Sequence, residues 1–246
     1  MEGDLVANLP MADIFAHHLR THADITAVCG DDSFATENGT YFEKDPDGHI
    51  REVLINMHRP RGYRSLDVFI LSTELLRSLV DECQAHDQYS FRRDVLQAKQ
   101  ALLNLQSYTW GGFAAQIRSV QEYYDRSMQL LDKDIRADLF TPERPIRAKG
   151  ADKASTYIGP DGVCLNSLVA EGCRIEGTVV NSILFPGVTV ERGAEVQGCI
   201  LFRGTCVRRN ARLAHVITDK HVELLPGRTM MGHANYPIVI AKNSVV

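Results

Sequence analysis

The chain has 246 residues, of which 44% are hydrophobic and 24% are charged, and these are the proportions of a folded protein rather than of a disordered or fibrous one. Its net charge of −4 offers no positive field that would gather nucleic acid or an anionic membrane. Apolar stretches stay well short of the roughly 18 residues that span a bilayer, so we expect a cytoplasmic protein of one or two domains whose cysteines form neither disulfides nor a zinc site.

The first part of the chain predicts alternating helices and strands. Residues 11–22 place apolar side chains on one side of a helix, and residues 25–29 read as a short strand. The sequence Asp45-Pro46-Asp47-Gly48 has the composition of a tight turn. Because this turn separates two strand-like runs, 40–44 and 50–55, it predicts a β-hairpin.

The pattern continues with a strand over 66–71 that leads into Ser72, a candidate N-cap for a helix with apolar residues at helical spacing. After an extended segment around 108–117, Ser119 and Glu122 form a capping box in which each side chain satisfies a backbone N–H at the start of a helix. The first part is therefore predicted to be an α/β region.

A boundary is predicted where Pro142 and Pro145 stand close together, because proline ends helices and favours extended backbone. Valine and glycine are also more frequent after residue 150 than before it. We therefore predict an α/β domain at 1–140, a linker at 141–160 and a further domain at 161–246.

The last domain repeats an apolar residue every six positions, and two slips of register interrupt the repeat. Four positions after each of these apolar residues stands a second residue that is small or apolar. The six-residue anchors are Val169, Ile175, Leu184, Val190, Val196, Phe202, Val207 and Leu213. The second positions are Cys173, Val179, Val188, Ala194, Ile200, Cys206, Ala211 and Ile217, and the residues before them include the corner candidates Gly172, Gly187, Gly193, Thr205 and Asn210. Hexapeptide repeats of this kind predict a parallel β-helix in which both sets point inward.

Four segments carry a family resemblance: Ser119-Val120-Gln121-Glu122-Tyr123-Tyr124 with 128–132, then 139–146, 166–179 and the closing 236–240. On these segments the chain resembles the ADP-glucose pyrophosphorylase (glucose-1-phosphate adenylyltransferase) family, most of all its D-type, non-catalytic glycogen biosynthesis subunit. The resemblance implies a partial, N-terminally truncated nucleotidyltransferase-like (Rossmann-like) region followed by a left-handed β-helix.

The same resemblance implies where a site would lie. Asp4 matches the family's first metal-binding carboxylate, whereas the position of the second carboxylate holds Gln116. The family's Glu-Lys-Pro element, which contacts the sugar phosphate, reads His58-Arg59-Pro60, and Ser65 matches a sugar-contacting serine. Because a neutral amide does not replace a carboxylate on a divalent cation, we expect no catalytic residues here and at most half a metal site, at Asp4. The resemblance also implies substrate contacts at Arg59 and Ser65.

We therefore expect a non-catalytic or regulatory subunit that pairs with a catalytic glucose-1-phosphate adenylyltransferase subunit. No cofactor is expected on this chain itself, although the family reaction implies Mg²⁺. Two alternatives stay open at this point. One is a hexapeptide acyltransferase with His215 or His221 as general base; the other is a gene fragment, since the family's glycine-rich nucleotide loop lies upstream of the region that Met1 resembles.

Overall fold

The computed structural model describes residues 3–30, 39–59, 61–147 and 154–246. Its contacts divide the chain into two compact units, Met1–Gln116 and Ile117–Val246, hereafter unit 1 and unit 2. The domain limits predicted from the sequence, at 140 and 160, stay a prediction. None of the helices in the described ranges is both long and apolar enough to cross a bilayer.

The described part of unit 1 is an α/β fold built on a five-stranded mixed sheet, with a separate two-stranded ribbon. Its described elements, in chain order, are β1 (Leu5–Ala7), α1 (Met11–Arg20), β2 (Ile25–Gly30), β3 (Thr40–Lys44), β4 (Ile50–Ile55), β5 (Tyr63–Leu71), α2 (Thr73–Ala85), a π-helix (Phe91–Gln97), β6 (Leu105–Thr109) and β7 (Ala114–Gln116). Five strands pair in the order β4-β3-β5-β2-β6, and β1 pairs with β7. Among these described strands, β2 and β6 form the one parallel pair. The predicted hairpin is confirmed as the antiparallel pair β3 and β4.

The central strand β2 serves two hydrophobic cores, because successive side chains of a strand point to opposite faces. Ile25 and Ala27 pack in a core that includes Leu79 of α2, whereas Val28 packs in a second core with Ile14 of α1. Every residue of β2 is buried. The sheet is thus covered by helices on both faces, an arrangement that belongs to the α/β class predicted from the sequence.

The start of α2 follows the sequence signal. Ser72 caps α2, since its hydroxyl accepts the backbone N–H of Leu75 at 3.1 Å. The π-helix was not predicted. Its first turn is capped reciprocally, because Ser90 accepts the backbone N–H of Arg93 at 3.3 Å and Asp94 accepts the backbone N–H of Ser90 at 2.9 Å.

Unit 2 contains a parallel β-helix, which confirms the predicted fold class. Its elements are α3 (Val120–Gln129), α4 (Lys133–Leu139), β8 (Tyr157–Ile158), β9 (Val163–Leu165), β10 (Leu168–Val169), β11 (Arg174–Ile175), β12 (Thr178–Val180), β13 (Ile183–Leu184), β14 (Thr189–Val190), β15 (Glu195–Gln197), β16 (Ile200–Leu201), β17 (Cys206–Val207), β18 (Arg212–Ala214), β19 (Val216–Thr218), β20 (Glu223–Leu224), β21 (Thr229–Met231) and β22 (Ile238–Ile240). The strands stack into three parallel five-stranded sheets, β10-β13-β16-β19-β22, β20-β17-β14-β11-β8 and β21-β18-β15-β12-β9.

Most predicted inward positions are buried in the coil, and Val169 is partly buried against its core. Two positions are wrong, and two are buried in another way. Phe202 and Cys206 are only partly buried, while their neighbours Leu201 and Thr205 are fully buried. The reason is the register of the strands. Leu184 pairs with Leu201 on the next turn, so this turn of the coil contains slightly fewer residues than three hexapeptides. In a strand, an offset of one residue turns a side chain to the opposite face.

Ile200 and Ile217 are buried against a helix on the outside of the coil rather than in its interior. Both belong to a cluster with Tyr124 of α3, while Leu201 belongs to the interior core. The sheet that contains β16 and β19 therefore has an apolar outer face, and α3 covers it.

The hydroxyl of Tyr124 anchors α3 to a corner of the coil. It donates to the carbonyl oxygen of Gly198 at 2.7 Å and lies 2.8 Å from Nδ1 of His215. Burial raises the pKa of Tyr124 to about 12, so the hydroxyl stays protonated. The predicted capping box of α3 is present with one change: Ser119 accepts the N–H of Glu122, and the Glu122 carboxylate accepts the N–H of Arg118 rather than that of the cap residue.

The six cysteines are free thiols. Burial raises the pKa of Cys199 to about 12 and also raises the pKa of Cys29 above its usual range. A buried thiol that stays protonated is a poor nucleophile, so these two residues act as small apolar side chains of the cores.

Candidate functional site

The candidate site of unit 1 starts from an irregularity in β5. On β2, Val28 pairs with Val68 and Cys29 pairs with Ser65, so β5 inserts Leu66 and Asp67 between two consecutive pairs. Asp67 has φ 56, a left-handed conformation that aspartate tolerates better than most residues. A bulge of this kind bends the strand and redirects a side chain, and here it directs the Asp67 carboxylate into the interior.

Among the described contacts, three side chains donate hydrogen bonds to the Asp67 carboxylate. Oδ2 accepts Nη2 of Arg92 at 2.9 Å and Nε2 of Gln116 at 3.0 Å, and Oδ1 accepts the hydroxyl of Ser65 at 3.3 Å. The Ser65 oxygen in turn accepts the backbone N–H of Asp67 at 3.1 Å. At its other end, Gln116 accepts Nη2 of Arg64 through Oε1. We call these five residues the Asp67 network.

The Asp67 network is buried almost completely. Arg64, Ser65, Asp67 and Gln116 are between 2% and 7% exposed, while the Arg92 side chain is 29% exposed. Taking a carboxylate out of water is unfavourable unless the group is paired and hydrogen-bonded. The ion pair with the Arg92 guanidinium and the hydrogen bonds from Gln116 and Ser65 meet that requirement for Asp67.

The structure brings together some of the residues that the sequence singled out. Ser65 and Gln116 are both members of the Asp67 network. Asp4 lies in the turn just before β1, and the next residue, Leu5, pairs with Gln116, so the two positions implied for a metal are neighbours in one two-stranded ribbon. Arg59 is not part of this group: it is exposed in a bend between β4 and β5.

The other residues of the predicted sugar-phosphate element are His58 and Pro60. His58 is exposed beside Arg59, and Pro60 lies outside the described residues. The roles predicted for Arg59 and Ser65 in substrate contact, and for Asp4 in metal binding, stay predictions.

Sequence reasoning missed three members of the network, namely Arg64, Asp67 and Arg92. A signal for two of them was present, because Arg64 and Asp67 are charged residues within a strand that is otherwise rich in apolar side chains. Nothing in the sequence pairs that strand with Arg92, which follows it only after α2 and lies in the unpredicted π-helix.

The residues present do not fit a Mg²⁺ ion at Gln116. Magnesium prefers oxygen ligands with near-octahedral geometry and is bound in proteins through carboxylates, whereas Gln116 is neutral and both ends of its amide are hydrogen-bonded within the network. In the described part of the chain, no three histidine, cysteine, aspartate or glutamate side chains are grouped closely enough to hold a metal ion.

Comparison with known proteins adds to this picture. Residues 151–235 match the family model described as the GlmU-like, C-terminal hexapeptide region. The chain is 34% identical over 184 residues to the glycogen biosynthesis protein GlgD of Bacillus subtilis (strain 168), a match that covers 74% of this chain and 53% of that protein. It is 37% identical over 187 residues to the GlgD of Geobacillus stearothermophilus, covering 76% of this chain and 54% of that one.

Other relatives are named glucose-1-phosphate adenylyltransferase. The glucose-1-phosphate adenylyltransferase of Acetivibrio thermocellus is 26% identical over 230 residues, which is 91% of this chain and 54% of that protein. The chain thus spans about half the length of the curated relatives that it matches. The resemblance to the ADP-glucose pyrophosphorylase family, and to its glycogen biosynthesis protein in particular, is confirmed.

Proposed function

We propose that this chain is a non-catalytic subunit of a glucose-1-phosphate adenylyltransferase assembly in glycogen biosynthesis. In that assembly a catalytic subunit converts ATP and glucose 1-phosphate to ADP-glucose and diphosphate. The observation that carries the proposal is the state of Gln116, whose amide is hydrogen-bonded at both ends in the Asp67 network. The relatives named GlgD and glucose-1-phosphate adenylyltransferase support the same reading.

Gln116 bears on catalysis because nucleotidyl transfer depends on a divalent cation that stabilises charge on the phosphates. The Gln116 amide would have to break its bonds to Arg64 and Asp67 before it could turn toward a cation. A neutral amide would then contribute no negative charge to balance that of the cation. We therefore derive no catalytic step for this chain, and its contribution is to bind and modulate a catalytic partner.

The β-helix is proposed as the part that docks on other subunits. Its first strand in the described residues, β8, leaves the side chains of Tyr157 and Ile158 half exposed. Of the strands that the structure describes, β11 alone pairs with it. Open strand edges with apolar side chains favour association with another chain. We propose a hetero-oligomer in the cytoplasm, with a catalytic subunit as the partner.

The test is to purify the chain alone, the catalytic subunit of the same source alone, and the two together, and to measure ADP-glucose formation from ATP and glucose 1-phosphate. We expect no turnover by this chain alone, co-elution of the two chains, and a changed kcat or KM for the catalytic subunit in the complex. Turnover by this chain alone above a heat-denatured blank would contradict the non-catalytic role. Failure of the two chains to co-elute would contradict the subunit role.

The acyltransferase alternative receives no support from His215. Its Nδ1 lies 2.8 Å from the Tyr124 hydroxyl, and the two rings meet edge to face. His215 also occupies a coil corner with φ 51. These contacts give it a packing role in the attachment of α3, and we do not propose it as a general base.

A further inference from the structure

Three side-chain donors from three separate segments converge on the two oxygens of the Asp67 carboxylate. They are Nη2 of Arg92 from the π-helix, Nε2 of Gln116 from β7 and the hydroxyl of Ser65 from β5 itself, at 2.9, 3.0 and 3.3 Å. Donors arranged in this way around one small anion are the general means by which proteins bind carboxylate and phosphate groups.

We propose that Arg92, Gln116 and Ser65 form an oxyanion cradle, and that Asp67 is its built-in occupant. The carboxylate of Asp67 fills the place in which the cradle would otherwise hold an oxyanion from solution, either a free ion or the anionic group of a ligand. In the natural chain the cradle is therefore closed to external oxyanions.

The backbone at Asp67 supports this assignment. Asp67 belongs to a two-residue insertion in β5 and has φ 56. The backbone therefore departs from regular strand geometry at the residue that carries the carboxylate. Glycine adopts this backbone conformation without a steric penalty. The Asp67→Gly variant therefore removes the carboxylate from the cradle without straining the backbone.

The experiment compares the natural chain with Asp67→Gly and with Asp67→Gly/Arg92→Leu. Thermal unfolding is followed in sodium chloride, sodium acetate, inorganic phosphate and glucose 1-phosphate at matched ionic strength and pH. Acetate has the size of the side chain that is removed. Phosphate and glucose 1-phosphate distinguish a free oxyanion from one carried by a sugar.

We expect the natural chain to show only the small, non-saturable difference between chloride and acetate that salt exclusion from a protein surface produces. Asp67→Gly should unfold at a lower temperature in chloride and recover in acetate in a saturable way, by about 5 °C near saturation. The double variant should show no such recovery. A response to acetate alone supports a cradle of carboxylate size, and an additional response to phosphate or glucose 1-phosphate supports one that also admits a phosphate group.

Asp67→Asn is the control for folding, because it keeps the side-chain volume and tolerates the left-handed conformation. It should fold and show no response to acetate, since the cradle remains filled. If Asp67→Gly does not fold in chloride, the readout becomes its refolding yield in each oxyanion. The proposal is overturned if Asp67→Gly is indifferent to every oxyanion in the readout that applies, or if the natural chain responds to acetate as strongly as the variant.

Oxyanion binding by this cradle does not depend on assembly with a catalytic subunit. Loss of the acetate response would leave co-elution and turnover untouched, and loss of co-elution would leave the acetate response untouched. The two proposals therefore fail separately.

Discussion

Gln116 is a neutral side chain that connects two charged ones in the interior of unit 1. The Gln116→Leu substitution keeps a similar volume but removes the acceptor for Arg64 and the donor to Asp67. Buried polar groups that lose a partner cost about 1–3 kcal/mol each, and more when they are charged. We expect Gln116→Leu to lower the free energy of unfolding by about 3 kcal/mol, as measured by urea unfolding.

A matched control is Gln197→Leu, the same exchange at an exposed position of β15. Surface substitutions of this kind usually change stability by no more than about 0.5 kcal/mol. If the two variants lost similar amounts, the Asp67 network would contribute nothing specific to stability.

At the scale of elements, the attachment of α3 to the coil depends on close approach at Gly198. This residue has φ 58, and a Cβ atom there would lie 3.0 Å from Nδ1 of His215 and 3.2 Å from the Tyr124 hydroxyl. Gly198→Ala should therefore cost the 1–2 kcal/mol of a left-handed alanine and, in addition, about 1 kcal/mol for a weakened Tyr124 hydrogen bond. Urea unfolding measures the total.

Gly227→Ala is the matched comparison for that loss. Gly227 also lies in the coil with a positive φ of 70, but a Cβ atom there would meet nothing within 4 Å. It should show the backbone cost alone. Equal losses at the two positions would mean that contact with Tyr124 and His215 does not limit residue 198.

The π-helix contains a pH-dependent contact at its start. The Arg93 side chain, and then the backbone N–H of Ser90, lower the pKa of Asp94 to about 2 from its ordinary value of 3.8. A carboxylate with a lowered folded-state pKa stabilises the fold above its unfolded-state pKa, and this contribution is lost as the pH falls through the folded-state value. Asp94→Asn should therefore be less stable than the natural chain at pH 6, and the difference should shrink between pH 4 and pH 2.

Urea midpoints at several pH values between 6 and 2 measure this effect. Asp81→Asn, at an exposed position of α2, removes the same charge without a capping contact and serves as the comparison. A constant difference between Asp94→Asn and the natural chain across this range would show that the Asp94 cap is not ionic in origin.

At the scale of the whole molecule, local and repeated features were predictable from the sequence, and contacts between distant segments were not. The hairpin of β3 and β4 depends on a short turn, and the coil depends on a repeat that every turn must satisfy, so both could be read from the sequence. The position of the register slip near Phe202 could not, because stacking on Leu184 decides which neighbouring residue points inward.

The candidate site shows the same limit. Ser65 and Gln116 were identified through a family resemblance, but the bonds that connect them pass through Asp67, which joins three segments far apart in the chain. No local pattern predicts which distant arginine approaches a buried aspartate. An isolated charge in an otherwise apolar strand marks such a position without identifying its partners.

Because Gln116 and Gly198 belong to different compact units, the effects of substituting them should be additive. In the described residues they share no hydrogen-bond partner, and substitutions without shared contacts usually add to within about 0.5 kcal/mol. The double variant Gln116→Leu/Gly198→Ala should therefore lose the sum of the two single losses. Hydrogen exchange should show where each loss occurs, with reduced protection in β5 and β7 for Gln116→Leu and in α3 and the neighbouring coil strands for Gly198→Ala. A double variant that departs from the sum by more than about 1 kcal/mol would mean that the two cores are energetically coupled.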